Sequence, residues 1–273
     1  MNLISVSNLD LALAALLLLV NGATSLALGL GFGRQMAWAA LRMVVQLGLM
    51  GLVLKALFVS LSPLWIGLAA LVMVAFAGRE ISARQQRKFR RGWGYGLGVS
   101  AMVAGACIVT VFALTMQLRP DPWYAPRYSI PLLGMMLGNA MTGVSLGLDS
   151  LTTQASHRRD GIEAQLALGA PRFTAFRPLV RDALRSGMIP IINAMAGSGL
   201  VFLPGLMTGQ ILAGVPPEEA IRYQILIMFL IGGATGLGVI LAVLGGARRL
   251  SDDRHRLRLD RLTAANGGAA DGD

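Results

Sequence analysis

Seven stretches of the chain, at about residues 9–30, 36–58, 62–78, 93–117, 129–150, 183–204 and 219–246, are built from Leu, Ala, Gly and other apolar residues with almost no charge among them. An α-helix rises about 1.5 Å per residue, so apolar runs of about 17–25 residues have the length that crosses a hydrocarbon core about 30 Å thick. None of the runs alternates apolar with polar positions, so each predicts a helix and not a strand of a barrel. Residues 205–214 (GLMTGQILAG) form an apolar remainder too short to span, expected to be re-entrant or interfacial. The pattern therefore predicts an all-α, polytopic membrane protein of about seven transmembrane helices. It reads as one transmembrane domain over residues 1–250 with a polar tail at 251–273, expected as a helical overhang fading into disorder.

Composition agrees: among 273 residues, 55% are hydrophobic and only 14% charged, too apolar a balance for a water-soluble domain. The net charge of +10 raises nucleic-acid binding as an alternative, but the placement of the charges gives a simpler account. With the N-terminus outside, 19 basic residues fall on cytoplasmic segments and 3 (Arg119, Arg127 and Arg222) outside, leaving Arg42 and Lys55 within spans. Lys and Arg accumulate on the cytoplasmic side of membrane proteins, so this split predicts an odd number of crossings, a cytoplasmic C-terminus and a plasma (inner) membrane location. The first apolar run has no basic residue ahead of it and no small-residue cleavage pattern, so it is expected to stay as a helix. Cys107 is the one cysteine, which excludes an intrachain disulfide, and neither His157 nor His255 sits in a cluster of metal ligands. The two lysines, Lys55 and Lys88, lie in no phosphate-binding loop. No enzymatic activity and no bound cofactor are expected of this chain itself.

The most informative polar segment is DGIEAQLALGAPRF, Asp160 to Phe173. It predicts a short amphipathic helix in the fifth-to-sixth span loop, with Asp160 capping its start, Ile162 and Leu166 on one face, and Gly169 with Pro171 stopping it. Such a helix is either a knob for a partner protein or an interfacial helix. Within the spans, Gly134 with Gly138 and Gly143 with Gly147 are spaced for close helix packing. Met135, Met136, Asn139 and Met141 line a path for a soft cation or fill gaps in the packing. Asn193 is a further path candidate. Polar groups are expensive in hydrocarbon. Arg42 and Gln46 therefore read as a structural polar pair on the second span, with Asp149 as a candidate partner of Arg42. Pro190 and Leu203-Pro204-Gly205 are expected to break regular helix. The loop RPDPWYAPRY (Arg119 to Tyr128) carries aromatics suited to an interface anchor or a substrate-facing lip. Pro216, Pro217, Glu218 and Glu219 signal the start of the last helix.

Four strings carry a wider resemblance: LRMVVQLGLMGLVLKALF (Leu41 to Phe58), IPLLGMMLGNAMTGVSL (Ile130 to Leu146), LALGAPRFTAFRPLVRDALRSGMIP (Leu166 to Pro190) and GLVFLPGLMTGQILAGVPPEEAIRYQI (Gly199 to Ile225). Over roughly residues 9–250 the chain resembles the FetB (YbbM) family of ABC permeases, also catalogued as the membrane family UPF0014. That resemblance implies a permease working with a separate ATPase subunit, which carries the ATP and Mg, and export of a metal, chiefly iron. In that light Glu163-Ala164 and Gly169 match the opening of the "EAA…G" loop by which ABC permeases dock on their ATPase, and Asp160, Leu166, Ala170 and Pro171 belong to the same coupling segment. The match is partial, because Leu179, Arg181 and Asp182 stand where that loop carries Ile-x-Leu-Pro. One docking helix per chain, against two ATPase sites per transporter, implies a permease homodimer. An ATP-independent secondary transporter or channel, or a structural scaffold, is the competing reading.

Overall fold

Helices start and stop where the sequence supplies caps and breakers. The computed structural model describes residues 7–59, 62–85, 87–252 and 256–263; His255 and residues 264–273 of the tail lie outside them. Nine α-helices occur among the described residues, with isolated bridges and no strand: α1 (Asn8–Ala27), α2 (Gly33–Val59), α3 (Pro63–Arg84), α4 (Trp93–Phe112), α5 (Pro126–His157), α6 (Arg159–Ala167), α7 (Arg172–Gly197), α8 (Gly205–Leu212) and α9 (Pro217–Leu250). A π-helical turn, Ala113–Leu118, prolongs α4.

The chain divides into two units, described separately. The first holds residues up to 62 together with 212–214. In it, Ser7 caps α1 through a reciprocal pair: its Oγ accepts from the Asp10 N–H at 3.2 Å, and the Asp10 carboxylate accepts from the Ser7 N–H at 2.9 Å. Helix α2 turns back beside α1 through Gly29 and Gly31, at φ +64° and +74°, and the Gly33 N–H donates to the buried Ser25 Oγ at 2.9 Å. Arg42 and Gln46 share a half-buried face of α2.

The second unit, residues 63–211 and 215 onward, is a bundle in which α5 and α9 form the centre. Helix α5 packs on α3, α4, α7 and α9, and α9 packs also on α4 and α7. The core is made largely of small residues, including Ala101, Ala106, Ala140, Ala183, Ala234 and Ala242, interleaved with Met102, Met136, Leu148 and Val239. Small residues let backbones approach, which is the main source of helix association where lipid removes the hydrophobic drive. The expected Gly143/Gly147 pair does this: a Cβ at Gly143 would stand 2.9 Å from the Gly187 carbonyl of α7 and 2.8 Å from Val239 of α9. The Gly134/Gly138 pair does not act as a pair, since Gly134 meets only Met73 of α3 and Gly138 faces open space.

Among the described residues, six helices are long and apolar enough to cross a membrane: α1, α2, α3, α4 with its π-helical turn, α5 and α9. The stretch expected as a span at 183–204 is built differently. Helix α7 starts at Arg172, carries Arg172, Arg177, Arg181, Asp182 and Arg185 before its midpoint is passed by more than one residue, and ends at Gly197. Pro190, expected to break the helix, does not: α7 runs through both Pro178 and Pro190. The break comes at 198–204, where a tight loop satisfies its own backbone, with the Gly199 N–H donating to the Phe202 carbonyl at 2.9 Å and the Val201 N–H to the Gly197 carbonyl at 2.9 Å. Non-helical backbone at membrane depth requires such internal partners. Helix α9 begins as expected, with Pro216 at the N-cap, Pro217 in the first turn, and Glu218 and Glu219 at the positive end of the helix dipole.

The tail differs from the expected overhang. Helix α9 stops at Leu250, and residues 256–263 fold back along the α3–α4 connection. The Thr263 N–H donates to the Lys88 carbonyl at 2.8 Å, the Lys88 N–H donates to the Thr263 Oγ1 at 3.0 Å, and the Arg261 guanidinium donates to the Arg249 carbonyl at 2.7 Å. Leu262 and Phe89 are both buried there. These apolar groups explain why the basic tail packs on the bundle end.

Candidate functional site

Helices α5, α6 and α7 make a corner at the basic end of the bundle. Arg158 closes α5 and opens α6, with φ −99° and ψ 20°. Helix α6 thus starts two residues earlier than expected, and Asp160 is not its cap: no side chain caps α6, and Asp160 lies in the first turn, where its carboxylate faces the helix dipole favourably. Ile162 is 5% exposed and Leu166 is partly buried, so these two positions, one turn apart, pin α6 to the bundle as the spacing predicts. Arg158 also pairs with Asp182 of α7 at 3.0 Å, and Arg159 with Glu163 at 3.0 Å along α6. Both pairs are solvent-exposed and contribute about 0.2–1 kcal/mol each.

Gly169 stops the helix through a left-handed residue, at φ +85°. The Gly169 N–H donates to the Leu166 carbonyl at 3.1 Å and the Ala170 N–H to the Gln165 carbonyl at 3.0 Å, the two bonds of a Schellman cap. Pro171 then serves as the N-cap of α7. Between these stops the chain projects two large apolar side chains that the sequence pattern did not single out: Leu168, 88% exposed, and Phe173, 67% exposed, with the Arg172 guanidinium 5.1 Å from the Phe173 ring centre. Glu163 and Ala164 lie on the exposed face of α6 beside them. The corner is therefore a short, rigidly capped helix with an apolar tip and a charged flank.

The path candidates divide by face. Met136 is fully buried in the packed core, whereas Met135 and Met141 are half-buried at its margin. Asn139 is exposed on α5 and its Nδ2 donates back to the Met135 carbonyl at 2.9 Å. With Thr142 and Leu146 it continues a stripe along α5, and Asn193 is exposed on α7. Asp149 is half-buried further along α5; Arg42 belongs to the other unit, so this pair is not a feature of either unit by itself. Between α5 and α7, the Ser186 hydroxyl meets the Ser150 Oγ at 3.2 Å, and Gln154 Nε2 donates to Ser150 at 2.8 Å. Sequence spacing had not singled out this polar link. Thr110 and Thr235 are buried hydroxyls without a hydrogen-bond partner in the bundle. No group of three or more His, Cys, Asp or Glu that could hold a metal ion occurs among the described residues.

The model of the Uncharacterised protein family (UPF0014) matches residues 8–251. The chain belongs to the UPF0014 family. It is similar to the UPF0014 membrane protein slr1647 of Synechocystis sp., 38% identical over 208 residues, 74% of this chain and 78% of that protein. It is similar also to the UPF0014 membrane protein STAR2 of Oryza sativa, 37% identical over 213 residues covering 78% and 73% of the two chains. The probable iron export permease protein FetB of Escherichia coli is 30% identical over 262 residues, 96% of this chain and 99% of that one. No solved structure matches the chain. Membership in UPF0014, together with six helices of spanning length and apolarity, makes the chain a multi-pass membrane protein.

Proposed function

We propose that this UPF0014 chain is the membrane-spanning permease subunit of an ABC transporter that exports a metal ion resembling iron, with ATP hydrolysed by a separate subunit docked on the α5–α6–α7 corner. The observation that carries the reading is the corner itself: α6 is anchored by Ile162, terminated by Gly169, and presents Glu163, Leu168 and Phe173 outward. A rigid helix with an apolar tip transmits force to and from a partner; a loop of the same residues would not. The similarity to FetB supports the permease role and the metal substrate. Asp160, Glu163, Ala164, Leu166, Gly169, Ala170 and Pro171 form the coupling segment in this reading, and Mg and ATP belong to the partner.

The remaining architecture follows from the same proposal. Helices α7 and α8 make a seventh crossing, broken at 198–204; support comes from the way α7 runs along α5 and α9, with Met188 beside Gly236 and Met195 beside Gly232. Residues 1–250 then act as one transmembrane domain, with the N-terminus outside and the C-terminus cytoplasmic in the inner membrane. Two copies pair, and Met135, Asn139 and Met141 of α5 with Asn193 of α7 line the path.

The test is co-expression with a candidate ATPase and assay in proteoliposomes. Leu168→Glu and Glu163→Arg are expected to lower transport-stimulated ATP hydrolysis at least tenfold while the permease still folds. Full stimulation in both variants would remove the docking assignment. Flux without any ATPase would favour a secondary transporter or channel, and stimulation only by organic solutes would remove the metal.

A further inference from the structure

The connection between α3 and α4 is held from two sides at one peptide group. The Arg87 carbonyl accepts from the Thr152 Oγ1 of α5 at 3.3 Å, and the Lys88 N–H, in the same planar unit, donates to the Thr263 Oγ1 of the tail at 3.0 Å. In a trans peptide the C=O and the N–H point in opposite directions, so α5 and the tail stand on opposite sides of this one rigid group. A second contact fixes each side. Toward α5, the Arg87 guanidinium donates to the Ser156 Oγ at 3.1 Å, one turn beyond Thr152. Toward the tail, the Thr263 N–H donates back to the Lys88 carbonyl at 2.8 Å, and the neighbouring Phe89 and Leu262 are both buried. The tail is itself tied to the end of α9, where the Arg258 N–H donates to the Leu250 carbonyl at 2.8 Å and the Arg261 guanidinium to the Arg249 carbonyl at 2.7 Å. Residues 256–263 are thus a strap that joins the end of α9, through the 87–88 peptide, to the last turns of α5.

The place where the strap ends gives it a role. Ser156 is followed by His157, the last residue of α5, and by Arg158, from which α6 starts. Helix ends fray, because their last carbonyls have no partner within the helix. Helix α6 has nine residues, too few to be stable by itself, so its orientation is inherited from the end of α5 and from the face it sets on α7. A loose last turn in α5 would let α6 swing; the bonds to Arg87 prevent it, and the strap holds Arg87 in place.

We infer that residues 256–263 are a positioning strap for the α5–α6–α7 corner: by fixing the 87–88 peptide they hold the last turn of α5, and through it α6, against the load of a docked partner, and they pass that load to the end of α9. A tail that only covered the apolar end of the bundle would need Leu262 over Phe89, and not the Thr263 hydroxyl on a peptide shared with α5. The positioning role rests on the docking assignment of the corner, whereas the anchoring of α5 is measurable without any ATPase.

The experiment takes the full chain with Leu262→Asp, Thr263→Val or Thr263→Ser and makes two measurements. Hydrogen exchange in detergent reports local opening. Without any ATPase, it is expected to rise at least fivefold at residues 152–157 in L262D and at least twofold in T263V, with residues 227–239 of α9 unchanged, and to keep the unsubstituted rate in T263S, which retains the hydroxyl. With a candidate ATPase, binding should stay within twofold in all three variants, while stimulated hydrolysis falls at least fivefold in L262D and twofold in T263V. Unchanged exchange at 152–157 in both L262D and T263V overturns the strap, whatever the ATPase does. Raised exchange with full stimulation overturns its positioning role. Loss of ATPase binding does so too, since the tail would then be part of the docking surface. No stimulation by the unsubstituted chain would instead remove the docking assignment, and exchange would still decide whether the strap anchors α5. If L262D does not fold, T263V against T263S decides the matter, because valine keeps the shape of threonine and loses only the hydroxyl.

Discussion

Replacing Gly105 by alanine strikes the closest helix crossing in the bundle. A Cβ there would lie 2.5 Å from the Ala234 carbonyl oxygen and 2.9 Å from the Gly238 nitrogen, both backbone atoms of α9. An ordinary carbon–oxygen contact is near 3.4 Å, so α4 and α9 must part by almost 1 Å locally. A gap of 0.5–1 Å forfeits a quarter to a half of each dispersion contact, worth about 0.1–0.2 kcal/mol apiece, and tens of such contacts join the two helices around Ala101, Met102 and Ala106. The loss is about 1–3 kcal/mol, the usual cost of overpacking. Gly138→Ala is the matched control, because the same methyl on α5 meets nothing within 4 Å. Both changes improve helix propensity by up to about 1 kcal/mol, so the difference between them isolates the clash. Unfolding by dodecyl sulfate titration, followed by circular dichroism in mild detergent, should place G105A about 1–3 kcal/mol below G138A. A difference under about 0.5 kcal/mol would refute the close α4–α9 crossing.

Further outcomes follow from the same structure. Ile162→Ala removes the anchor of α6; large-to-small changes at buried sites cost about 2–5 kcal/mol, so hydrogen exchange of residues 159–167 should accelerate while that of α5 stays unchanged. Gly169→Ala forces a left-handed alanine at about 1–2 kcal/mol with no steric contact within 4 Å, and is expected to lower ATPase stimulation without lowering expression; equal stimulation would show that the Schellman cap is not needed for docking. Arg258, bonded to both oxygens of Asp260 at 2.8 Å, holds that carboxyl down at about 2 from its ordinary 3.8. A depressed folded pKa contributes stability that is present above about 3.8 and is lost as pH falls toward 2, so protection of the Thr263 amide should be flat from pH 7 to 4 and fall below it. Asp260→Asn should reproduce that loss at pH 7, and raised salt should reduce the difference, since Asp260 is exposed and Arg258 only half-buried.

Local information determined much of this protein. The apolar runs located the six helices of spanning length because hydropathy and length are properties of a continuous segment, and Pro217 with Glu218 and Glu219 marked the start of α9 for the same reason. Gly169 and the Ile162–Leu166 spacing marked the stop and anchored face of α6, since a helix cap and a helical face each involve residues within one or two turns. What the sequence did not determine rests on contacts between positions far apart in the chain. Whether a methionine of α5 faces the core, as Met136 does, or the margin, as Met135 does, depends on where α3, α4, α7 and α9 pack around it. The extent of α7 was misjudged because its arginines lower its hydropathy, while its place beside α5 and α9 is fixed by Gly143 and Gly187, 44 positions apart. Helix α7 likewise returns antiparallel to the end of α9, which brings Arg172 and Arg177 beside Arg248. Read along the chain, those three residues are topology signals; that they meet at one end of the bundle is decided only by the packing of α7 on α9.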